Sequence, residues 1–175
     1  MCAKESIAEE LENNLPKGLE FIVLKGHFFD MIGIKTEDDV YFLGDSLFSK
    51  DTINKYHLFY IYDVRRFLET LDYLNELEGK IFIPSHCEAT DNIKGLIQIN
   101  KNKVQEILNL ILNICVEEKN FEEILKIIFD TYNLAMNPNQ YVLVGSTIKS
   151  YLSYLHEENK IIYEFKNNQM VWKKL

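Results

Sequence analysis

The sequence lacks the features that mark secreted and membrane-spanning proteins. Its three cysteines (Cys2, Cys87 and Cys115) are widely spaced and form no Cys-x-x-Cys pair, so a disulfide framework is not indicated. No apolar run approaches the length of a membrane span, and the first residues lack the apolar core of a signal peptide. A reduced, cytoplasmic protein without a membrane partner is therefore expected.

Positive charge is also scarce. The 175 residues include 19 Lys and Arg against 27 Asp and Glu, which gives a formal net charge of −8. A negative chain repels phosphate backbones. From residue 101 onward, nine lysines balance nine acidic residues, so this part lacks the basic stripe expected of a DNA-binding module. Nucleic acid is therefore not expected as a partner.

Three short apolar runs dominate the first half, and each leads to a polar side chain that can bind a metal. The runs are Leu19–Leu24 before His27, Val40–Leu43 before Asp45, and Lys80–Ile83 before His86. Their β-branched and aromatic content and the Gly or Pro that follows each are typical of buried strands. Loops at strand ends gather side chains from several strands. The two histidines and the aspartate are therefore candidate ligands for zinc or a similar ion.

Helical periodicity flanks these runs. Ser6 to Leu15 is predicted to form a short helix capped by Ser6, and 63–77 a longer amphipathic helix capped by Asp63. The longer helix leads at once into the strand before His86, an order typical of α/β proteins.

Two further features complete the first half. The acidic turn Glu37–Asp39 lies between apolar runs at 31–35 and 40–44, which predicts a hairpin. The segment 48–62 carries several aromatic residues without a regular period, so no element is predicted there.

The pattern becomes mostly helical near residue 101. A helix is predicted to open at Asp91, to break near Asn100–Asn102 and to continue towards Cys115. Two more helical stripes follow at 121–128, with Asn120 as a cap, and at 141–155. Apolar and polar residues alternate over 160–165, as in a strand. The Asn167-Asn168 turn and a second strand over 170–172 complete a predicted hairpin. Three helices and a hairpin suggest a small winged-helix unit.

The motifs around the candidate ligands resemble the second half of metallo-β-lactamase-fold hydrolases. They are Gly26-His27, Phe42–Phe48 with its Gly44-Asp45 step, and Ile83–His86. The tail is similar to the winged-helix-like extension found on some hydrolases of that superfamily. The resemblance implies an α/β fold over residues 1–100, the second half of an αββα sandwich. It implies a mostly helical, winged-helix-like module over 101–175.

The resemblance also implies a role for each candidate ligand. His27 would complete the first metal site, Asp45 would bridge two zinc-type metals, and His86 would complete the second site. The family's other metal motif, His-x-His-x-Asp-His, is absent, and the four histidines at 27, 57, 86 and 156 form no His-x-His pair. The chain is therefore expected to be a C-terminal portion that is inactive alone and that binds metal weakly or not at all.

Two functions follow from this reasoning. The first is part of a metal-dependent hydrolase whose substrate could be an ester, thioester, phosphodiester or lactam. The second is a non-catalytic interaction or structural protein that assembles through its half-sheet and helical tail. An apolar inner sheet face is predicted from Phe21, Val23, Ile32, Ile34, Tyr41, Leu43, Ile81 and Ile83. Such a face needs a cover, so a homodimer or a separate N-terminal half-domain is the expected partner.

Overall fold

The computed structural model describes residues 11–175, and its first half contains four strands and three helices. These elements are α1 (Leu11–Asn14), β1 (Leu19–Val23), β2 (Ile32–Thr36), β3 (Val40–Phe48), α2 (Lys50–Tyr56), α3 (Val64–Asn75) and β4 (Ile81–His86). Of the helix predicted from Ser6 to Leu15, residues 6–10 lie outside the described part. The short helix α2 lies in the segment for which no element was predicted.

The second half contains three long helices and three strands. They are α4 (Lys94–Ile114), β5 (Lys119–Asn120), α5 (Phe121–Thr131), α6 (Pro138–Glu157), β6 (Ile161–Lys166) and β7 (Gln169–Lys174). The protein is thus mixed α/β, as the sequence predicts. No helix among residues 11–175 is both long and apolar enough to span a membrane.

The first sheet brings two strand ends to one edge. Its order is β1-β2-β3-β4, with antiparallel pairs except for the parallel pair β3–β4. Because β3 and β4 run in the same direction, their carboxyl ends meet, and Phe48 pairs with His86. β3 continues past the predicted end at residue 44 because Gly44 takes a positive φ of 53° at a bulge and the strand pairs again beyond it.

One sheet face packs on helices and the other is open. Tyr41 and Leu43 are buried at 5% and 0% exposure, whereas Phe42 between them is 45% exposed. Assigning Tyr41 and Leu43 to the same inner face as the other predicted residues was therefore wrong, because they lie on the helix-covered side. By strand register, the open face consists of Phe21, Val23, Ile32, Ile34, Val40, Phe42, Ile81 and Ile83.

The helix α3 covers the packed face. The Asp63 side chain accepts a hydrogen bond from the Arg66 amide and begins the helix, as predicted. Its buried stripe includes Val64, Phe67 and Leu71, which belong to one continuous core with the buried residues of the second half.

The helix α4 is uninterrupted, so the predicted break near Asn100–Asn102 was wrong. Asn100 is fully buried, and its amide serves the end of β3: Oδ1 accepts from the Phe48 amide at 3.1 Å and Nδ2 donates to the Phe48 carbonyl at 2.8 Å. Nδ2 also donates to the Leu96 carbonyl within the helix at 2.8 Å. The sequence pattern shows a polar residue there but not its distant partner.

We expect Asn100→Leu to destabilise the protein by about 2–4 kcal/mol, because both polar backbone groups of Phe48 would be left buried and unpaired. Urea unfolding followed by circular dichroism measures the change. Asn109→Leu is the matched control, since Asn109 is exposed on the same helix and should change stability by no more than about 0.5 kcal/mol. Equal effects of the two variants would contradict the assignment.

The second sheet joins the helices of the tail. Its order is β5-β7-β6, with antiparallel pairs. Asn120 and Glu123 form a capping box at the start of α5, which confirms Asn120 as the cap. The predicted turn residues Asn167 and Asn168 both have positive φ, as a tight hairpin turn requires. The strand β5 was not predicted because it is only two residues long.

Candidate functional site

The His27 loop is held against the start of α3 by the glycine before it. Gly26 has a φ of 122°, and a Cβ atom at this position would lie 2.2 Å from the Phe67 backbone nitrogen. The Gly26 carbonyl accepts hydrogen bonds from the amides of Tyr62 at 2.9 Å and Asp63 at 3.0 Å. The Gly-His motif therefore places the backbone of His27 at a fixed point beside the helix.

Asp45 is turned out of the sheet by the bulge at Gly44. Its side chain is 34% exposed, whereas the next residue, Ser46, is fully buried and donates its hydroxyl to the Leu43 carbonyl at 2.8 Å. His86 comes from the end of the neighbouring strand, where its ring stacks on Phe48 with 5.4 Å between centroids. Three separate backbone segments thus present these side chains at one sheet edge.

The structure brings together all three residues singled out from the sequence. His27 Nε2 lies 3.2 Å from Asp45 Oδ2, and His86 Nε2 lies 3.4 Å from Asp45 Oδ1. Each imidazole therefore faces its own oxygen of one shared carboxylate. Two ligands of a single tetrahedral zinc ion are about 3.3 Å apart when metal–ligand bonds are about 2.0–2.1 Å, so both distances suit a pair of ligands on one ion.

The ring of His27 is held by a backbone carbonyl on the side away from Asp45. Its Nδ1 lies 2.9 Å from the Tyr60 carbonyl, which can only accept, so Nδ1 carries the proton. Burial lowers the pKa of His27, an effect that the Asp45 charge and the Tyr60 hydrogen bond only partly oppose. Burial therefore favours the neutral form of the imidazole, in which Nε2 is free to bind a cation.

His27, Asp45 and His86 alone do not complete a metal site. Each carboxylate oxygen has one imidazole beside it, which gives two protein ligands per metal position, below the usual three. Within residues 11–175, no group of three or more His, Cys, Asp and Glu side chains is arranged to hold a metal ion. The His27, Asp45 and His86 side chains fit a divalent metal pair by chemistry and spacing, but further ligands must come from elsewhere.

Cys87, next to His86, is not suited to complete the set. Its thiol lies 3.7 Å from the Leu47 carbonyl, in the geometry of a donated hydrogen bond. Burial raises its pKa to about 11, so the thiol stays protonated near neutral pH.

A cavity of about 560 Å³ opens beside the histidine pair. Its walls come from the loop of His27, from β3 and α2, from the 58–60 segment, and from the first turns of α6. The lining residues are His27, Phe48, Asp51, Thr52, Lys55, Tyr56, Leu58, Phe59, Tyr60, His86, Gln140, Leu143 and Val144. The contribution of α6 was not foreseen, because nothing in the local sequence indicates which helix packs there.

The other two histidines take structural positions. His57 stacks on Tyr132 with 4.7 Å between ring centroids and does not line the cavity. His156 lies at the end of α6, where its Nδ1 is 3.2 Å from the Ile161 carbonyl and its ring packs on Tyr163. Neither belongs to the candidate site.

The fold is a mixed α/β sheet in which the parallel strands β3 and β4 end side by side, with Asp45 and His86 near those ends. Two solved structures share this fold. A metallo-beta-lactamase family protein from Thermus thermophilus has a TM-score of 0.70 at 17% identity, covering 90% of this chain and 49% of that chain. A beta-lactamase domain protein from Burkholderia ambifaria has a TM-score of 0.75 at 14% identity, covering 90% and 47%.

These similarities show that the chain has part of the metallo-β-lactamase fold, and it spans about half the length of both solved structures. No protein-family model and no curated protein matches the sequence.

Proposed function

We propose that this chain is the C-terminal portion of a metal-dependent hydrolase and that His27, Asp45 and His86 are its ligands for zinc or a similar divalent pair. The observation that carries the proposal is the convergence of two imidazoles on one carboxylate: His27 Nε2 and His86 Nε2 lie 3.2 Å and 3.4 Å from separate oxygens of Asp45. Metal-bound histidines characteristically donate their other ring nitrogen to a carbonyl, as His27 does to Tyr60.

A bound metal pair would supply a shared hydroxide at neutral pH and would polarise the bond under attack. The chain's own residues would hold the candidate metal ligands in position. Tyr60 fixes the His27 tautomer, Phe48 holds the His86 ring by stacking, and Asp45 offers one oxygen to each side. In this proposal the remaining ligands belong to a separate N-terminal half-domain. The chain alone should show no appreciable hydrolysis.

We expect the chain to bind Zn²⁺ weakly and Asp45→Asn to weaken that binding at least about tenfold, because an amide replaces the shared anionic ligand. Isothermal titration calorimetry measures the affinity, and the absorption of bound Co²⁺ reports the ligand set. Asp51→Asn is the matched control, since Asp51 lines the cavity beside His27 and His86 but has no ion pair with either histidine. Unchanged zinc affinity in Asp45→Asn would refute Asp45 as a metal ligand. Hydrolysis by the chain alone that His27→Ala abolishes would refute the expectation that the chain is inactive.

The second candidate function is assembly without catalysis, and the open sheet face favours it. In this proposal a second copy of the chain covers the face, and the tail is a winged-helix-like module that supports packing. The tail's strand order β5-β7-β6 beside three helices supports the winged-helix interpretation. Among the described residues Cys87 and Cys115 are free thiols, which suits the proposed reduced, cytoplasmic setting.

A further inference from the structure

The cavity beside the histidine pair has room for more than a metal centre. Its volume of about 560 Å³ falls among those of small-molecule sites, which run from about 300 to about 1,000 Å³. His27 and His86 are both lining residues, so a molecule held in the cavity would reach the candidate metal ligands. The chemistry of the remaining lining indicates which kind of molecule this is.

More than half of the lining side chains are apolar or aromatic. Phe48, Leu58, Phe59 and Val144 are lining residues that are buried in the core. Phe48 also stacks on the His86 ring with 5.4 Å between centroids, so apolar surface begins directly beside a candidate metal ligand. A ligand gains free energy from displacing water on this surface only where the ligand itself is apolar.

Two further lining residues leave about half of their surface in water. Tyr56 at the end of α2 is 47% exposed, and Leu143 in α6 is 50% exposed. Single exposed apolar side chains are common on protein surfaces. These two differ because both line one concave site whose other side chains are largely apolar. An apolar group bound in the cavity would cover surface that now faces water.

The fixed charges of the lining cancel. Apart from the histidines, Asp51 and Lys55 are the lining residues within 11–175 that carry a charge near neutral pH. They lie one turn apart on α2, so each offsets the charge of the other. Burial favours the neutral form of His27, and the Thr52 hydroxyl and Gln140 amide are uncharged. An ion of either sign would therefore lose water in the cavity without meeting a net opposite charge.

We propose that this cavity binds an uncharged hydrocarbon group, an aryl ring or an alkyl chain. This inference rests on the proposed function only in taking that group as the part of the substrate remote from the bond attacked at the histidine pair. The polar part of the substrate would then lie at the histidine end of the cavity. The substrate class is an apolar ester, thioester or lactam, not a molecule charged at both ends.

The test compares three probes that share a naphthyl body and differ in charge, namely naphthylmethanol, naphthoate and naphthylmethylammonium. Each is titrated calorimetrically into the full chain in EDTA, which removes metal ions that would bind the carboxylate. Naphthylmethanol should bind saturably and at least about threefold more tightly than either ion, because the ions lose water without a net counter-charge. No saturable binding of naphthylmethanol, or an ion that binds as tightly, would overturn the proposal.

A first pair of variants tests the charge balance. Lys55→Gln leaves the charge of Asp51 without its counterpart, so naphthylmethylammonium should bind about 2–5-fold more tightly and naphthoate more weakly. Naphthylmethanol, which is uncharged, should keep its affinity. Lys50→Gln is the matched control, because Lys50 lies on the same helix but does not line the cavity, and it should leave all three affinities unchanged.

A second pair tests the apolar contact. Leu143→Asn should weaken naphthylmethanol binding at least about threefold, because an amide replaces hydrocarbon in the lining. Val142→Asn is its control, since Val142 is 62% exposed and does not line the cavity. Equal effects within either pair would place the probe elsewhere, for example on the open sheet face, and would overturn the proposal.

The outcome is separable from that of the proposed function. Because these titrations contain EDTA, their failure is independent of the zinc titration with Asp45→Asn. Zinc binding without naphthylmethanol binding would leave the proposed function standing and remove only the substrate class.

Discussion

Gly26→Ala should destabilise the protein by at least about 3 kcal/mol, a large share of the 5–15 kcal/mol that holds a typical domain together. The alanine would need a φ of 122°, which costs about 1–3 kcal/mol for a residue with a side chain. Its Cβ would also lie 2.2 Å from the Phe67 nitrogen and 2.3 Å from the Phe67 Cα, so the loop must move. Urea unfolding measures the loss.

Gly95→Ala is the matched control for this change. Gly95 lies in the first turn of α4, and no heavy atom outside its own helix backbone and chain neighbours lies within 4 Å of its Cβ position. Alanine there should stabilise the protein by about 0.5–1 kcal/mol. Because the Gly26 loop carries His27, Gly26→Ala should also lower zinc affinity. A folded Gly26→Ala protein with unchanged stability would contradict the geometry described for the loop.

The wild-type chain should form a dimer at micromolar concentration, and Phe42→Asp should raise its dissociation constant at least about 100-fold. Phe42 is 45% exposed in the third strand of the open face, so a buried aspartate would be introduced twice in a two-fold interface. Four strands spaced about 4.8 Å and five residues long give a footprint of roughly 300 Å² per copy. Covering about 600 Å² of apolar surface contributes on the order of 15 kcal/mol, against association costs of about 4–15 kcal/mol.

Sedimentation velocity measures the dimer. Phe165→Asp is the control, because Phe165 is 69% exposed on the β6–β7 hairpin and is not part of the open face. A wild-type chain that stays monomeric at high concentration would contradict the homodimer. A dimer lost equally in both variants would place the interface on the tail.

The strands and the three candidate ligands were accessible from the sequence because their signals are local. Alternating or continuous apolar runs mark β1 to β4, and those of β1, β3 and β4 lead to His27, Asp45 and His86. The faces of the sheet were harder to assign, because Tyr41 and Phe42 are both apolar and only the packing of α3 and α4 separates them. Local pattern reports that a strand is buried but not which side a helix covers.

The features that the sequence did not predict depend on distant partners. Asparagine is a poor helix former, and Asn100 is stabilised within α4 by its hydrogen bond with the Phe48 backbone, 52 residues away. The contribution of Leu143 to the cavity likewise requires α6 to lie across that cavity's lining from the rest of the chain, which no periodicity encodes. The same limit applies to Tyr60, whose carbonyl fixes the His27 tautomer across 33 residues.

The uninterrupted helix α4 has a consequence for how the protein unfolds. Its 21 residues cross the point at which the sequence changes character, and they bury Ile97 on one side and Ile107 and Ile111 on the other. These side chains belong to a single core cluster with residues from both halves. Neither half can melt without exposing apolar surface that the other half needs, so the helix makes the two halves one cooperative unit. The position of Leu143 relative to His27 and His86 therefore depends on the folding of the whole chain and not on a hinge.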